Sequence, residues 1–185
     1  MVATKTRKPA TNRVPRRRGC LIDLVDDAQL IAGEWDARLV AAAVDAALAA
    51  DGMHGGQLVV RLVDAGESRR LHRTHFRQAS ATDVMTFPDG TDDPETGRLR
   101  LGDLAICLDI ARLEAARRNR PTAHELALYV VHGVLHLLGH DDVDPRDRAA
   151  MWAEQHRVLA EVGIAVEAEP AQEPPKKSKA QKKSR

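Results

Sequence analysis

Apolar residues recur with two different periods along this 185-residue chain. Short runs rich in β-branched and other apolar residues, Cys20 to Val25, Gln57 to Val63, Thr82 to Phe87 and Arg98 to Cys107, predict strands. Apolar positions three and four apart predict helices over 35–50, 65–76, 109–119, 122–138 and 145–162. Asp51 and Gly52 stop the first helix, and Pro121 separates the third from the fourth. The polar, turn-prone segment 89–97 joins the last two strands in an expected antiparallel pair. The pattern predicts an α+β domain with a small mixed sheet packed with helices.

The helix expected over 122–138 carries the candidate chemistry. Leu126, Tyr129, Val130, Val134, Leu137 and Leu138 give it enough apolar surface to be a buried element. His132 and His136 lie one turn apart on one face, where two imidazoles can grip one cation. Gly139 can take the left-handed conformation that ends a helix and turns the chain back, so a group three residues later can reach the same cation. That group is Asp142, with His140 as its rival. On an unbroken helix His140 would lie roughly 12 Å along the axis from His132, too far to share one ion, so either candidate depends on the glycine reversal. The expected ligands are His132, His136 and Asp142.

The spacing His-x-x-x-His-x-x-Gly-x-x-Asp resembles the metzincin zinc signature, but Gly133 stands where those peptidases carry the glutamate that serves as general base. A glycine cannot take a proton. A zinc peptidase is therefore a weak alternative, and restoring glutamate at 133 without gaining proteolysis would weigh further against it.

The segment VHGVLHLLG, Val131 to Gly139, with its HDD continuation, resembles the YbeY family of metal-dependent endoribonucleases. Thr82 to Pro88, TDVMTFP, is similar to that family's TDVLSFP strand, and Leu101 to Cys107, LGDLAIC, to its LGDIVIC strand. The likeness spans roughly Cys20 to Gly163. It implies a zincin-like site on a buried helix, holding one Zn2+ through three protein ligands. It also implies single-strand-specific endoribonuclease activity in ribosomal RNA maturation, at the 16S rRNA 3′ end, and in ribosome quality control. The implied partners are ribosomal RNA and the small ribosomal subunit. Two departures stand out. The family's third metal-binding histidine is Asp142 here and its tyrosine is His140, and a carboxylate ligand brings a negative charge that weakens the ion's acidifying effect. The family's arginine upstream of TDVLSFP aligns with Phe76, with Arg77 one residue late. With no glutamate at 133, Asp141, His140 or a substrate group is left to act as base.

Charge is segregated along the chain. Residues 1–19 hold seven Lys or Arg and no acid, residues 171–185 hold six against Glu173, and residues 20–170 hold 15 basic against 26 acidic residues, a net −11. The expected organisation is a basic disordered tail over 1–19, a nuclease-like domain over 20–168 and a second basic tail over 169–185. An acidic body is not a generic RNA binder, so the tails or the row Arg69, Arg70, Arg73 and Arg77 must attract phosphate. Aromatic residues are 3% of the chain, which argues against a stacked aromatic platform. Cys20 and Cys107 form no CxxC and are expected to be free strand residues. The absence of a long apolar run points to a cytoplasmic protein. Two further alternatives are a non-catalytic, metal-stabilised ribosome-assembly factor and the two-histidine, one-carboxylate triad of iron oxygenases.

Overall fold

The computed structural model describes residues 19–165. The expected basic tails lie outside the described residues, apart from Gly19, as do the last three positions of the expected domain. Four strands and five helices follow one another as β1 (Cys20–Val25), α1 (Ala37–Ala50), β2 (Gly56–Val63), α2 (Ala65–Phe76), β3 (Val84–Pro88), β4 (Arg100–Cys107), α3 (Leu108–Arg117), α4 (Thr122–Leu137) and α5 (Pro145–Glu161). The sheet order is β1-β2-β4-β3, with β1 and β4 parallel to β2 and β3 antiparallel to β4. This is an α+β fold with a mixed sheet, as the residue pattern predicts.

Element boundaries differ from the sequence expectation where local hydrogen bonds decide them. The first helix starts at Ala37 rather than Trp35, because the Asp36 carboxylate accepts from the backbone N–H groups of Arg38 and Leu39 and so caps it. The fourth strand starts at Arg100; Leu99 makes only an isolated bridge to Asp92 across the 89–97 turn. No loop separates β4 from α3, since Cys107 ends one and caps the other. Cys107 is buried and Cys20 half-buried, and both are free. Burial, helped by the nearby Asp45, pushes the Cys20 thiol up to about 12, so it stays protonated and unreactive.

Period-two alternation on the central strands builds one apolar face. Leu58, Val60 and Leu62 of β2 pair in register with Gly102, Leu104 and Ile106 of β4. Beyond them on β3 come Pro88, Thr86 and Val84. The buried apolar residues of this face join those of α1, α4 and α5 in one core. Helix α4 is the hub, packing against α1, α3, α5, β3 and β4. Two glycines let it lie close to the sheet. A Cβ at Gly133 would come within 2.7 Å of Leu104 Cδ2. A Cβ at Gly102, where φ is +143°, would meet Leu137 Cδ2 of α4 at 3.0 Å, as well as the Phe87 carbonyl oxygen of the neighbouring strand at 2.3 Å. The glycine that breaks the peptidase signature is thus a packing position against β4, and a glutamate side chain there would have to displace Leu104.

At the N-terminal end of α4, Glu125 is fully buried and pairs with Arg118 and Arg120 of the preceding turn. This lock ties the end of α3 to the start of α4. The opposite end of α4 carries the histidines.

Candidate metal centre

His132 and His136 occupy the last turns of α4, and their rings meet edge to face with centroids 4.6 Å apart. Their Nε2 atoms are separated by 3.1 Å. The helix stops in a glycine-capped reversal: Gly139 N–H donates to the His136 carbonyl and His140 N–H to the Leu135 carbonyl, with Gly139 at φ +96°. This turn swings Asp142 back so that its Oδ2 lies 3.9 Å from both Nε2 atoms. One ligand atom from each of the three residues falls within 4.8 Å of the others, and all three side chains are half-buried.

His140 is turned elsewhere. Its Nε2 lies 3.5 Å from Asp51 Oδ2, at the end of α1. Only its backbone serves the site, as the carbonyl that accepts from His136 Nδ1 at 3.1 Å. Asp141 is also committed locally, because its Oδ1 accepts from the N–H groups of Asp142 and Val143. From α5, Arg148 donates to the carbonyls of Asp142 and Val143 at 2.7 and 3.0 Å, pinning the same loop.

The proton positions follow from the partners. A carbonyl oxygen only accepts, so His136 Nδ1 carries the hydrogen and Nε2 keeps its lone pair. His132 Nδ1 likewise donates to Gln155 Oε1 at 3.0 Å. With those tautomers two lone pairs face each other at 3.1 Å, an arrangement that a cation between them relieves. Burial, reinforced by the neighbouring His136, holds the His132 imidazole below its ordinary value, which favours its neutral, ligating form.

Gln155 was not visible as a site residue from the sequence. The available signal was a polar residue within the buried stripe Met151, Val158 and Leu159 of α5. Fixing the second nitrogen of a ligating histidine typically governs affinity by about 10- to 100-fold. Replacing Gln155 with leucine is therefore expected to weaken metal retention by a factor in that range, as read by competition with a chromogenic chelator. Gln155→Glu should retain it. Equal affinity in the leucine variant and the wild type would remove Gln155 from the site.

The three side chains open into a cleft of about 400 Å³ whose wall is α2, β3 and the residues leading into β3: His72, Phe76, Thr82, Asp83, Val84, Met85 and Thr86. Ser68, fully buried on α2, fastens this wall by donating to the Thr82 carbonyl and accepting from the Thr82 N–H. Asp83 is a carboxylate on the cleft wall that sequence reading did not single out, although it lies within the TDVMTFP strand. Arg77 does not line the cleft. It is exposed and adopts φ +59° as the left-handed cap of α2. Phe76, which aligns with the family's arginine, is the residue that faces the site.

Comparison with known proteins agrees with this reading of the fold. The family described as Endoribonuclease YbeY matches residues 26–163. Endoribonuclease YbeY of Alkalilimnicola ehrlichii is 42% identical over 127 residues, covering 66% of this chain and 75% of its own. That of Halorhodospira halophila is 41% identical over 112 residues, covering 60% and 73%. The solution structure of TM1509 from Thermotoga maritima superposes with a TM-score of 0.52 at 24% identity, over 77% of this chain and 89% of that one, and supports the fold alone. A family match across most of the domain, with relatives at about this level of identity, leaves one assignment: the chain belongs to the YbeY endoribonuclease family.

Proposed function

We propose that this protein is a metal-dependent endoribonuclease that cuts single-stranded ribosomal RNA, with His132, His136 and Asp142 as the ligands of one zinc ion. The observation that carries the reading is the pair of imidazole Nε2 atoms 3.1 Å apart with a carboxylate oxygen 3.9 Å from each. Tetrahedral zinc with nitrogen bonds of about 2.0–2.1 Å sets two nitrogens about 3.3 Å apart, so the histidines need almost no movement and Asp142 needs to close by about half an ångström. When bound, the ion supplies Lewis acidity toward a phosphate oxygen and lowers the cost of deprotonating the attacking water.

The chain's own residues supply the rest. Asp142 neutralises part of the ion's charge, which makes this site a weaker acid than a three-histidine centre. Asp83 is the carboxylate on the opposite wall of the same cleft; its Oδ1 accepts from Thr82 Oγ1 and the Val84 N–H, and its Oδ2 takes the role of proton acceptor, since neither His140 nor Asp141 lines the cleft. A peptidase reading has no support from position 133, which packs on Leu104.

The small ribosomal subunit, with the 16S rRNA 3′ end as the cut site and ribosome quality control as the setting, follows the family. The basic tails over 1–19 and 169–185 would tether the 20–168 domain to that RNA in the cytoplasm. Among the described residues no helix is long and apolar enough to cross a membrane. The test is cleavage of a fluorescent single-stranded fragment of the 16S rRNA 3′ end by zinc-loaded protein, compared with the same fragment in a duplex. Cleavage of the single strand alone is expected. Stoichiometric zinc without cleavage of any RNA would favour the non-catalytic assembly factor.

A further inference from the structure

The chain has only two phenylalanines; Phe76 lines the metal cleft and Phe87 packs against Phe76. Phe76, from the last turn of α2, lines the cleft itself while remaining 43% exposed. Phe87, on the edge strand β3, meets Phe76 with ring centroids 6.0 Å apart. Two histidines complete the group: His72 lies 5.6 Å from Phe76, and His75 packs edge-on to Phe87 at 5.2 Å. His72 is itself fixed, its Nδ1 donating to the Ser80 carbonyl at 2.8 Å. The low aromatic content of the chain therefore conceals a local concentration of rings.

We infer that Phe76, backed by Phe87 and His72, is a stacking subsite for one unpaired nucleobase next to the scissile phosphate. This inference rests on the nuclease reading above and adds a specificity determinant to it. Three observations select a nucleobase as the occupant. The exposed ring lines the same cleft as His132, His136 and Asp142, so a strand lying along that cleft toward them can bring a base against it. The ring is large, apolar and solvent-exposed, and a base offers a flat π-face that matches it regardless of sequence. The same segment carries exposed Arg69, Arg73 and Arg77, cations for the phosphates on either side of a stacked base. A base in a duplex is already stacked on its neighbours and cannot occupy this position. The cluster thus gives the site a physical reason to prefer single strands.

The experiment uses zinc-loaded, full-length protein and a ten-nucleotide unstructured RNA labelled at both ends, together with versions of that RNA made abasic at one position at a time. Phe76→Ala and Phe76→Leu are expected to raise KM about tenfold, in the range lost with one base–aromatic stack, with kcat within twofold of wild type. Phe76→Trp should match wild type. One abasic position should cost the wild type about tenfold in kcat/KM and cost Phe76→Ala nothing, because the base and the ring then report a single interaction. The abasic series on unaltered protein keeps the test valid if the alanine variant folds poorly. An unchanged KM in Phe76→Leu, a lowered melting temperature as the only effect of Phe76→Ala, or additive losses from the variant and the abasic site would overturn the subsite while leaving the nuclease reading in place. Wild-type protein that cuts no RNA would remove both.

Discussion

Replacing both His132 and His136 with alanine is expected to abolish zinc retention and to reduce RNA cleavage at least about a thousandfold, a loss of about 4 kcal/mol of transition-state stabilisation, in a protein that remains folded. The two outcomes separate because of where the imidazoles sit. Their side chains are 26% and 24% exposed and lie side by side on the cleft face of α4. The face of α4 that holds the core together is formed by Leu126, Val130, Val134 and Leu135, all fully buried. Alanine is a better helix former than histidine, and its introduction removes two opposed lone pairs. The metal-free variant should therefore melt within a few degrees of the metal-free wild type. Elemental analysis, a melting curve in chelator and the single-strand cleavage assay give the three readouts together. A double variant that keeps its zinc or its cleavage would remove the proposed site. One that unfolds even against chelator-treated wild type would assign the two residues to the fold instead.

The second large effect is expected at the other end of the same helix. Glu125→Ala should cost about 3–5 kcal/mol, the usual consequence of leaving a buried charge without its partner. Glu125 has no exposed surface; Arg118 Nη1 approaches Oε1 at 2.5 Å, and Arg120 Nε approaches Oε2 at 2.6 Å. The two arginines are not equivalent. The Arg118 side chain is 37% exposed and can turn to water or to Glu114, whereas that of Arg120 is only 12% exposed. Most of the penalty therefore falls on Arg120, whose guanidinium is stranded. Tyr129 shares the pocket, and burial together with the Glu125 charge pushes its hydroxyl well above the ordinary range. A domain of this size is stable by about 5–15 kcal/mol in total, so the variant should show a large fall in its urea midpoint. A shift equivalent to less than about 1 kcal/mol would mean that the network adds little beyond its own desolvation cost.

Much of this architecture could be read along the chain, because the informative signals were local. The 3.6-residue stripe of α4, the four-residue stagger of its histidines and the glycine that reverses the chain toward Asp142 all lie within one short segment. The antiparallel β3–β4 pair is likewise announced by the polar turn between its strands. Residues supplied from a distance were not legible. Gln155 is 23 residues beyond the histidine it orients, and nothing in the α5 sequence says which neighbour it will meet. Asp83 and Phe76 become cleft residues only once β3 takes the sheet edge beside α4. Arg77 illustrates the opposite difficulty. Its residue type matches the family's arginine, but the left-handed cap of α2 leaves Phe76, rather than Arg77, on the cleft wall. The 3% aromatic content likewise said nothing about whether those few rings would gather at one place.

Two supports of the site, Gln155 and Arg148, belong to α5, which is made after the histidines and after Asp142. On a ribosome still translating this protein, the pair of imidazoles emerges before the amide and guanidinium that hold the ligands in position. If the three residues hold a metal as proposed, preorganised coordination would begin only when the later helix has docked, and an incomplete chain would carry a centre not yet armed against the RNA surrounding it.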